Sequence, residues 1–282
     1  MTTYAVTGST GHLGRLVVQE LLARGVPATD VVALARTPEK AATLGVPVRP
    51  VDYSDPASLP EALAGVDVLL LVSGNEVGKR LSQHTAVIEA AKAAGVQRVA
   101  YTSIANADHS ANPLTPEHKA TEDVLRASGL PFTILRDNWY LENYTAQLPV
   151  QLEHGVVGAA GEGRISAAAR ADFAEAAAVA LLADDSAGRV YELAGDESFT
   201  MADYAATLTE QTGQQVSYVD LPEAEYAAVL ESAGVPAGFA AILADGDRGV
   251  SEGELYDDSG TLSALIGRPT TPLTDAVKAA LV

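Results

Sequence analysis

A chain of 282 residues, 48% of them hydrophobic, is long enough for a main domain with an appendage and apolar enough for an ordinary globular core. Its formal net charge of −19, from 37 acidic against 18 basic side chains, repels nucleic-acid phosphates and anionic membranes and argues against a nucleic-acid partner. The absence of cysteine excludes disulfides and thiolate chemistry, and no apolar run approaches the ~20 residues that span a bilayer.

The first residues lack the cationic start and long apolar stretch of a signal peptide, so a cytoplasmic protein without membrane insertion is expected. Tyr4 to Thr7 reads as a strand, and the glycine loop after it opens a helix through Leu13, Leu16, Val17, Leu21 and Leu22, stopped by Gly25. Val31 to Ala35 is unbroken apolar, as suits a parallel strand buried on both faces. A short helix from Pro38, a strand over 48–52 and a helix over 56–63 follow. The most apolar strand, 67–73, should be central; then come a helix through Val87, Ile88 and Ala91 to Gly95, a strand over 99–103, a helix over 116–128 and a strand over 132–136.

Six strands with helical crossovers predict an α/β Rossmann fold, a doubly wound parallel sheet, over residues 1–145. The rhythm breaks after Trp139. Residues 155–163 read as a glycine-rich loop, 172–182 as an Ala-rich helix, and 189–195 as a strand completing the main sheet. Short helices and a strand near 216–219, divided by prolines, make 146–282 mostly a smaller C-terminal α/β lobe.

Thr7-Gly8-Ser9-Thr10-Gly11-His12-Leu13-Gly14 is a G-x-x-G-x-x-G turn between a strand and a helix, the setting in which such a motif cradles a dinucleotide pyrophosphate. Glycine permits the tight turn, and the helix N-terminus adds favourable partial positive charge. Arg36 ends the second strand where an NAD enzyme would place an acid for the ribose hydroxyls; with no acid in 31–35, Arg36 is expected to meet the 2′-phosphate of NADPH. The alternative is an arginine that simply faces solvent. Lys40, one turn on, either shares that phosphate or lies on the surface.

Asp52 and Tyr53 are placed to border the adenine, unless Asp52 instead caps the helix near Pro56. Ser73 and Gly74, and Thr102 with Ser103, end the fourth and fifth strands and should face the cofactor from the carboxyl edge of the sheet. Small residues at strand ends are common without any ligand. His118 and Glu122 stand four apart on a helix but lack a third ligand, so no metal is expected. The usual hydrolase signatures, G-x-S-x-G and H-E-x-x-H, are absent.

Residues 7–14, Ala-Ala-Lys-Ala-Ala-Gly-Val (90–96), Tyr-Thr-Ser (101–103) and Leu-Arg-Asp-Asn-Trp-Tyr-Leu-Glu-Asn-Tyr (135–144) resemble the NmrA-like atypical short-chain dehydrogenases. Leu-Glu-His-Gly (152–155), Ala-Ala-Gly-Glu-Gly (159–163), Arg-Ala-Asp (170–172), Val-Tyr-Glu-Leu-Ala-Gly-Asp (190–196) and Leu-Ile-Gly-Arg-Pro-Thr-Thr (265–271) extend the resemblance over nearly the whole chain. They point to bacterial type-2 NAD(P)H:quinone oxidoreductases. The resemblance implies NADPH-dependent two-electron quinone reduction without flavin or metal. It also implies that Asp137, Asn138, Trp139, Tyr140, Glu142 and Asn143 contribute to the nicotinamide side.

The wider superfamily uses a Tyr-x-x-x-Lys dyad here, but the residue four before Lys119 is Thr115, so Ser103 lacks its usual tyrosine partner. Ketone reduction makes an alkoxide comparable to hydroxide, with water at about pKa 15.7. Quinone reduction makes a phenolate near pKa ~10, which can take its proton from solvent. Such an enzyme can work by positioning, with the quinone in a cleft between the sheet edge and the C-terminal lobe. Trp139 and Tyr140 would carry the catalytic stacking surface, helped by Tyr144, and Ser103 any residual acid role. Core packing is the competing role for these aromatics. Two rival functions remain: a nucleotide-sensing regulator acting through a protein partner, and a reductase of another electrophile such as an enone, carbonyl or azo compound.

Overall fold

The expected strands and crossovers form in chain order, in a computed structural model that describes residues Met1 to Val282. β1 (Tyr4–Val6) leads through the glycine turn into α1 (His12–Ala23); β2 (Val31–Ala35), a 3-10 segment (Pro38–Leu44) and β3 (Val48–Pro50) come next. α2 (Leu59–Ala62), β4 (Val68–Leu71), α3 (Arg80–Ala94), β5 (Arg98–Ile104), α4 (Thr115–Ala127) and β6 (Phe132–Asp137) follow. Then come α5 (Glu142–Thr145), α6 (Leu148–His154), β7 (Val156–Gly158), α7 (Arg170–Leu182) and β8 (Arg189–Leu193). The chain ends with α8 (Met201–Thr212), β9 (Tyr218–Asp220), α9 (Glu223–Ser232), α10 (Ala237–Ser251), α11 (Thr261–Ile266) and α12 (Leu273–Ala280).

Two compact units result. The first comprises Met1–Ala107, Pro116–Asp137 and Arg170–Glu192; the second comprises Asp108–Thr115, Asn138–Ala169 and Leu193–Val282. After the excursion over Asp108–Thr115, the chain leaves the first unit again after Asp137, about eight residues before the expected boundary at 145, and α7 returns to it. That return has a packing reason: α7 buries Ala174, Ala176, Ala177, Ala178 and Ala180, small side chains that let it lie close against α1.

The main sheet has seven strands in the order β3-β2-β1-β4-β5-β6-β8, parallel from β3 through β6. Every residue of β2 and β4 is buried, which explains why both lack polar alternation. The order reverses between β1 and β4, so a crevice opens at their carboxyl ends. On one side of the sheet Leu34, Leu69, Leu71, Val87, Ile88, Val99, Tyr101 and Ile134 form the core.

The second unit has its own core around Leu148, Phe199, Met201, Tyr204 and Leu208, with Trp139 and Tyr144 packed against it. Residues 155–163 are not all loop: Val156 to Gly158 is β7, paired in parallel with β9. Its partner lies some sixty residues away, so local glycine content concealed it.

A carboxylate on α4 is wholly inside the first unit. Glu122 on α4 is 0% exposed and receives Arg136 Nε at 2.8 Å, Arg136 Nη2 at 2.7 Å and the Ser103 hydroxyl at 2.7 Å. Arg136 Nη1 also reaches Glu192 at 2.8 Å. Removing one partner of such a pair strands a buried charge, at a cost of about 3–5 kcal/mol. Arg136→Ala should therefore lower unfolding stability by roughly that amount in urea titration; a loss under ~1 kcal/mol, as for an exposed pair, would contradict the burial argument.

Candidate functional site

Backbone geometry at the β1–α1 turn requires glycine at two places. Gly8 has φ +58°, and a Cβ on Gly14 would sit 2.5 Å from the Gly8 carbonyl oxygen and 2.9 Å from that of Thr7. The Gly11 amide donates to the Gly8 carbonyl at 2.8 Å, closing the turn. Gly11 caps α1 with no side-chain acceptor, so the first-turn amides of His12, Leu13 and Gly14 remain suited to an anion. Gly11 and His12 are exposed and Thr10 half-buried. Ser9 and Leu13 are different: the Ser9 hydroxyl donates to the Leu34 carbonyl at 3.0 Å, and the Leu13 side chain is buried. Those two side chains anchor the loop. This close-packed cradle, which a Cβ would fill, fits a dinucleotide pyrophosphate.

The other wall of the crevice is tied to the first. The Thr7 hydroxyl donates to the Leu70 carbonyl at 3.1 Å and accepts the Val72 amide at 2.8 Å. The Tyr53 hydroxyl lies 2.5 Å from Thr7 Oγ1 and 2.9 Å from the Val72 carbonyl oxygen. Tyr53 is therefore a clasp between strand ends, and burial pushes its hydroxyl pKa well up. Asp52 makes a local turn through the Ser54 amide at 2.9 Å; the cap at Pro56 comes from Asp55, which accepts the Ala57 amide. The Ser73 amide donates to Thr102 Oγ1 at 2.9 Å, so these two strand ends hold each other.

Gly74 is fixed on both sides. Its carbonyl accepts Arg80 Nε at 2.6 Å, and its amide donates to His84 Nε2 at 3.0 Å. The Thr121 hydroxyl donates to the Glu117 carbonyl at 2.8 Å, so it must accept from His84 Nδ1 at 3.1 Å, which makes His84 the neutral Nδ1–H tautomer. Further along the turn, the Glu117 carboxylate accepts the Gly78 amide at 3.0 Å and the Arg80 amide at 3.1 Å. The Tyr101 hydroxyl lies 2.9 Å from His118 Nδ1, and Tyr101 is fully buried. Burial lowers His84 to a pKa of about 4 and His118 to about 3, with the Arg80 charge adding to both.

No spacing rule pointed to Arg80, His84, Glu117 or Thr121. Yet α3 shows the signal in retrospect: its buried stripe Val87, Ile88, Ala91 continues toward the N-terminus as Arg80, Gln83 and His84, polar residues on the core face.

Arg36 ends β2 with its side chain 62% exposed, its Nη1 only 3.7 Å from Glu76 Oε1. Lys40 is exposed nearby, and its carbonyl accepts Arg15 Nη2 at 3.1 Å. Ser103 is 5% exposed, and its proton is committed to Glu122. Lys119 forms an ion pair with Asp123 at 3.3 Å. His118 and Glu122 thus serve Tyr101 and Arg136, and no cluster of potential metal ligands exists.

Asp137 closes β6, its carbonyl accepting the Ala105 amide at 3.0 Å. In the second unit, Asn138 donates from Nδ2 to the Leu255 carbonyl at 3.1 Å and accepts the Trp139 amide at 2.7 Å. Trp139 and Tyr140 are half-buried, the Tyr140 backbone bridging to Ala168, while Glu142 and Asn143 begin α5. An open cavity of about 670 Å³ in this unit, lined by Gly161, Glu162, Thr209, Glu210, Tyr218 and Asp220 among others, borders none of the candidate cofactor or catalytic residues.

Residues 8–185 match a family described as NAD(P)H-binding. The chain is 52% identical to quinone oxidoreductase 2 of Escherichia coli over 277 residues, 97% of this chain and 96% of that protein. It superposes on the crystal structure of an E. coli NADPH-dependent quinone oxidoreductase complexed with NADPH with a TM-score of 0.96 at 50% identity, covering 99% of this chain and all of that one. A Citrobacter triphenylmethane reductase complexed with NADP(H) gives a TM-score of 0.94 at 38% identity, covering 99% of each chain.

Gly14→Ala should abolish dinucleotide binding in calorimetry, because the methyl group collides with backbone rather than with a flexible side chain. The histidines give a pH signature. Their folded pKa values lie below the unfolded value of 6.5, so the unfolded chain binds more protons as pH falls. The stability they contribute is complete above pH 6.5 and is lost as pH drops toward about 4 and then about 3. The urea midpoint should fall between pH 7 and pH 5, and a His84→Gln, His118→Gln double variant should flatten that slope; an unchanged slope would remove both residues from the account.

Proposed function

Because the chain belongs to the NAD(P)H-binding, NmrA-like family of oxidoreductases, we propose that it catalyses NADPH-dependent two-electron reduction of quinones, without flavin. The observation that carries this reading is the commitment of Ser103 to Glu122, together with the presence of Thr115, four before Lys119, where a catalytic tyrosine would stand, in a chain so similar to a quinone oxidoreductase. With its proton held by Glu122, Ser103 is not free to protonate an alkoxide. A quinone does not need one, since its reduced form is a phenolate whose conjugate acid lies near pKa ~10 and exchanges with water.

Bound NADPH supplies the hydride. The protein's part is to hold and orient. Gly8, Gly11 and the first turn of α1 take the pyrophosphate, Arg36 the 2′-phosphate, and Tyr53, Ser73, Gly74 and Thr102 shape the crevice for the nucleotide. The stretch expected on the nicotinamide side, Asp137 through Asn143, begins at the carboxyl end of β6, and within the second unit Trp139 and Tyr140 offer flat apolar surface. The Citrobacter dye reductase favours a second reading on the same chemistry: other extended conjugated electrophiles, whose reduced forms also need no strong acid.

Three measurements follow. Purified, flavin-free protein should oxidise NADPH in the presence of a simple benzoquinone, seen as loss of nicotinamide absorbance; tight NADPH binding without turnover would instead favour a nucleotide sensor. Arg36→Ala should raise the NADPH KM far more than the NADH KM, and equal changes would refute its role. Ser103→Ala should change quinone turnover by less than about tenfold, below the ~100-fold or greater loss typical of a removed general acid; a loss of several hundred-fold, outside that range, would restore the acid role.

A further inference from the structure

Three charged side chains meet where the β4–α3 turn faces the end of β2. Glu76, at the apex of that turn, places Oε1 3.7 Å from Arg36 Nη1 and Oε2 3.0 Å from Lys79 Nζ. Both cations are well exposed, with side-chain exposures of 62% and 66%, while Glu76 is 34% exposed. Exposed pairs contribute little to stability, so the arrangement needs another reason to exist. It is also not left loose. The Lys79 amide donates to the Glu76 carbonyl at 3.1 Å, Glu117 grips the amides of Gly78 and Arg80, and Arg80 with His84 fixes Gly74. The turn therefore holds its carboxylate beside Arg36.

We propose that Glu76 is a built-in competitor for the 2′-phosphate and Lys79 a second cation for it, so that Arg36, Glu76 and Lys79 together set the preference for NADPH over NADH. This rests on the NADPH reading above. Two oxygens of one anion gripping two separate cations is the pattern a phosphate also presents. An arriving 2′-phosphate must therefore displace Glu76 from both partners, and it inherits both. With NADH the logic inverts: a carboxylate near the ribose accepts hydrogen bonds from free hydroxyls, as an acid at the end of β2 does in NAD enzymes. Glu76 thus works against one cofactor and for the other. Its charge persists at working pH, because Lys79 foremost holds its carboxyl below the usual carboxylate range.

The test is calorimetric titration of the whole protein with NADP⁺ and NAD⁺, which reads binding without turnover. Glu76→Gln should raise the NADP⁺-to-NAD⁺ affinity ratio by roughly three- to tenfold, and Lys79→Ala should lower it by about as much, as expected for one unit charge near a phosphate in a high-dielectric setting. Both effects should shrink between about 50 and 500 mM salt, since the Debye length shortens severalfold. If the wild type prefers NADP⁺ but either variant leaves the ratio unchanged, the proposal is overturned. The same holds if Lys40→Ala lowers the ratio in place of Lys79→Ala. A wild type with no preference for NADP⁺ would overturn the Arg36 assignment, and this proposal with it.

Discussion

The Thr7 hydroxyl joins the carboxyl ends of β1 and β4, donating to the Leu70 carbonyl and accepting the Val72 amide, with Tyr53 closing over it. These strands flank the switch point, where the sheet opens and no crossover helix covers the backbone. Polar groups left unpaired there would be costly in the buried setting. By satisfying them with one another, Thr7, Val72 and Tyr53 hold the crevice at a set width. The glycine cradle lies on one side of that crevice and the Ser73–Gly74 turn on the other.

Behind the β4 turn the first unit keeps a layer of buried polar side chains rather than a wholly apolar core. Arg80, His84, Thr121, Tyr101 and His118, with the half-buried Glu117, connect the β4 turn, β5, α3 and α4 through hydrogen bonds between partners 6 to 37 residues apart in sequence. Neutral histidine is what makes this layer work. A His84 imidazole can accept the Gly74 amide and donate to Thr121 at the same time, whereas an imidazolium has no acceptor. Burial keeps it in the neutral form. The consequence is a turn fixed at both Gly74 and Gly78, which presents Glu76 and Lys79 to Arg36 in a defined place.

Ser103 illustrates how a strand-end residue can be read correctly in position and differently in role. Its place at the end of β5 followed from the strand read over 99–103, but the partner that takes its proton, Glu122, is nineteen residues away on α4. The same holds for Asp52, expected to border the adenine or to cap the helix near Pro56: in the fold the cap is Asp55, and Asp52 makes a local turn. Residues 155–163 read as loop because the parallel partner of β7 comes after α8. Likewise, the break in rhythm after Trp139 marked where the chain enters the second unit, but nothing local announced that α7 returns to the first.

Composition, hydrophobic period and glycine spacing were enough to identify a doubly wound sheet, a tight glycine turn at Gly8 to Gly14 between β1 and α1, and a basic residue at the end of β2. Each is a local property, set by backbone sterics or by which faces a strand buries. The roles of Tyr53, His84, Arg80, Ser103 and Glu76 were decided only by tertiary structure. Hydrogen bonds and ion pairs depend on which side chains the crossovers bring within about 3 Å of each other, and no periodicity in the chain encodes that distance.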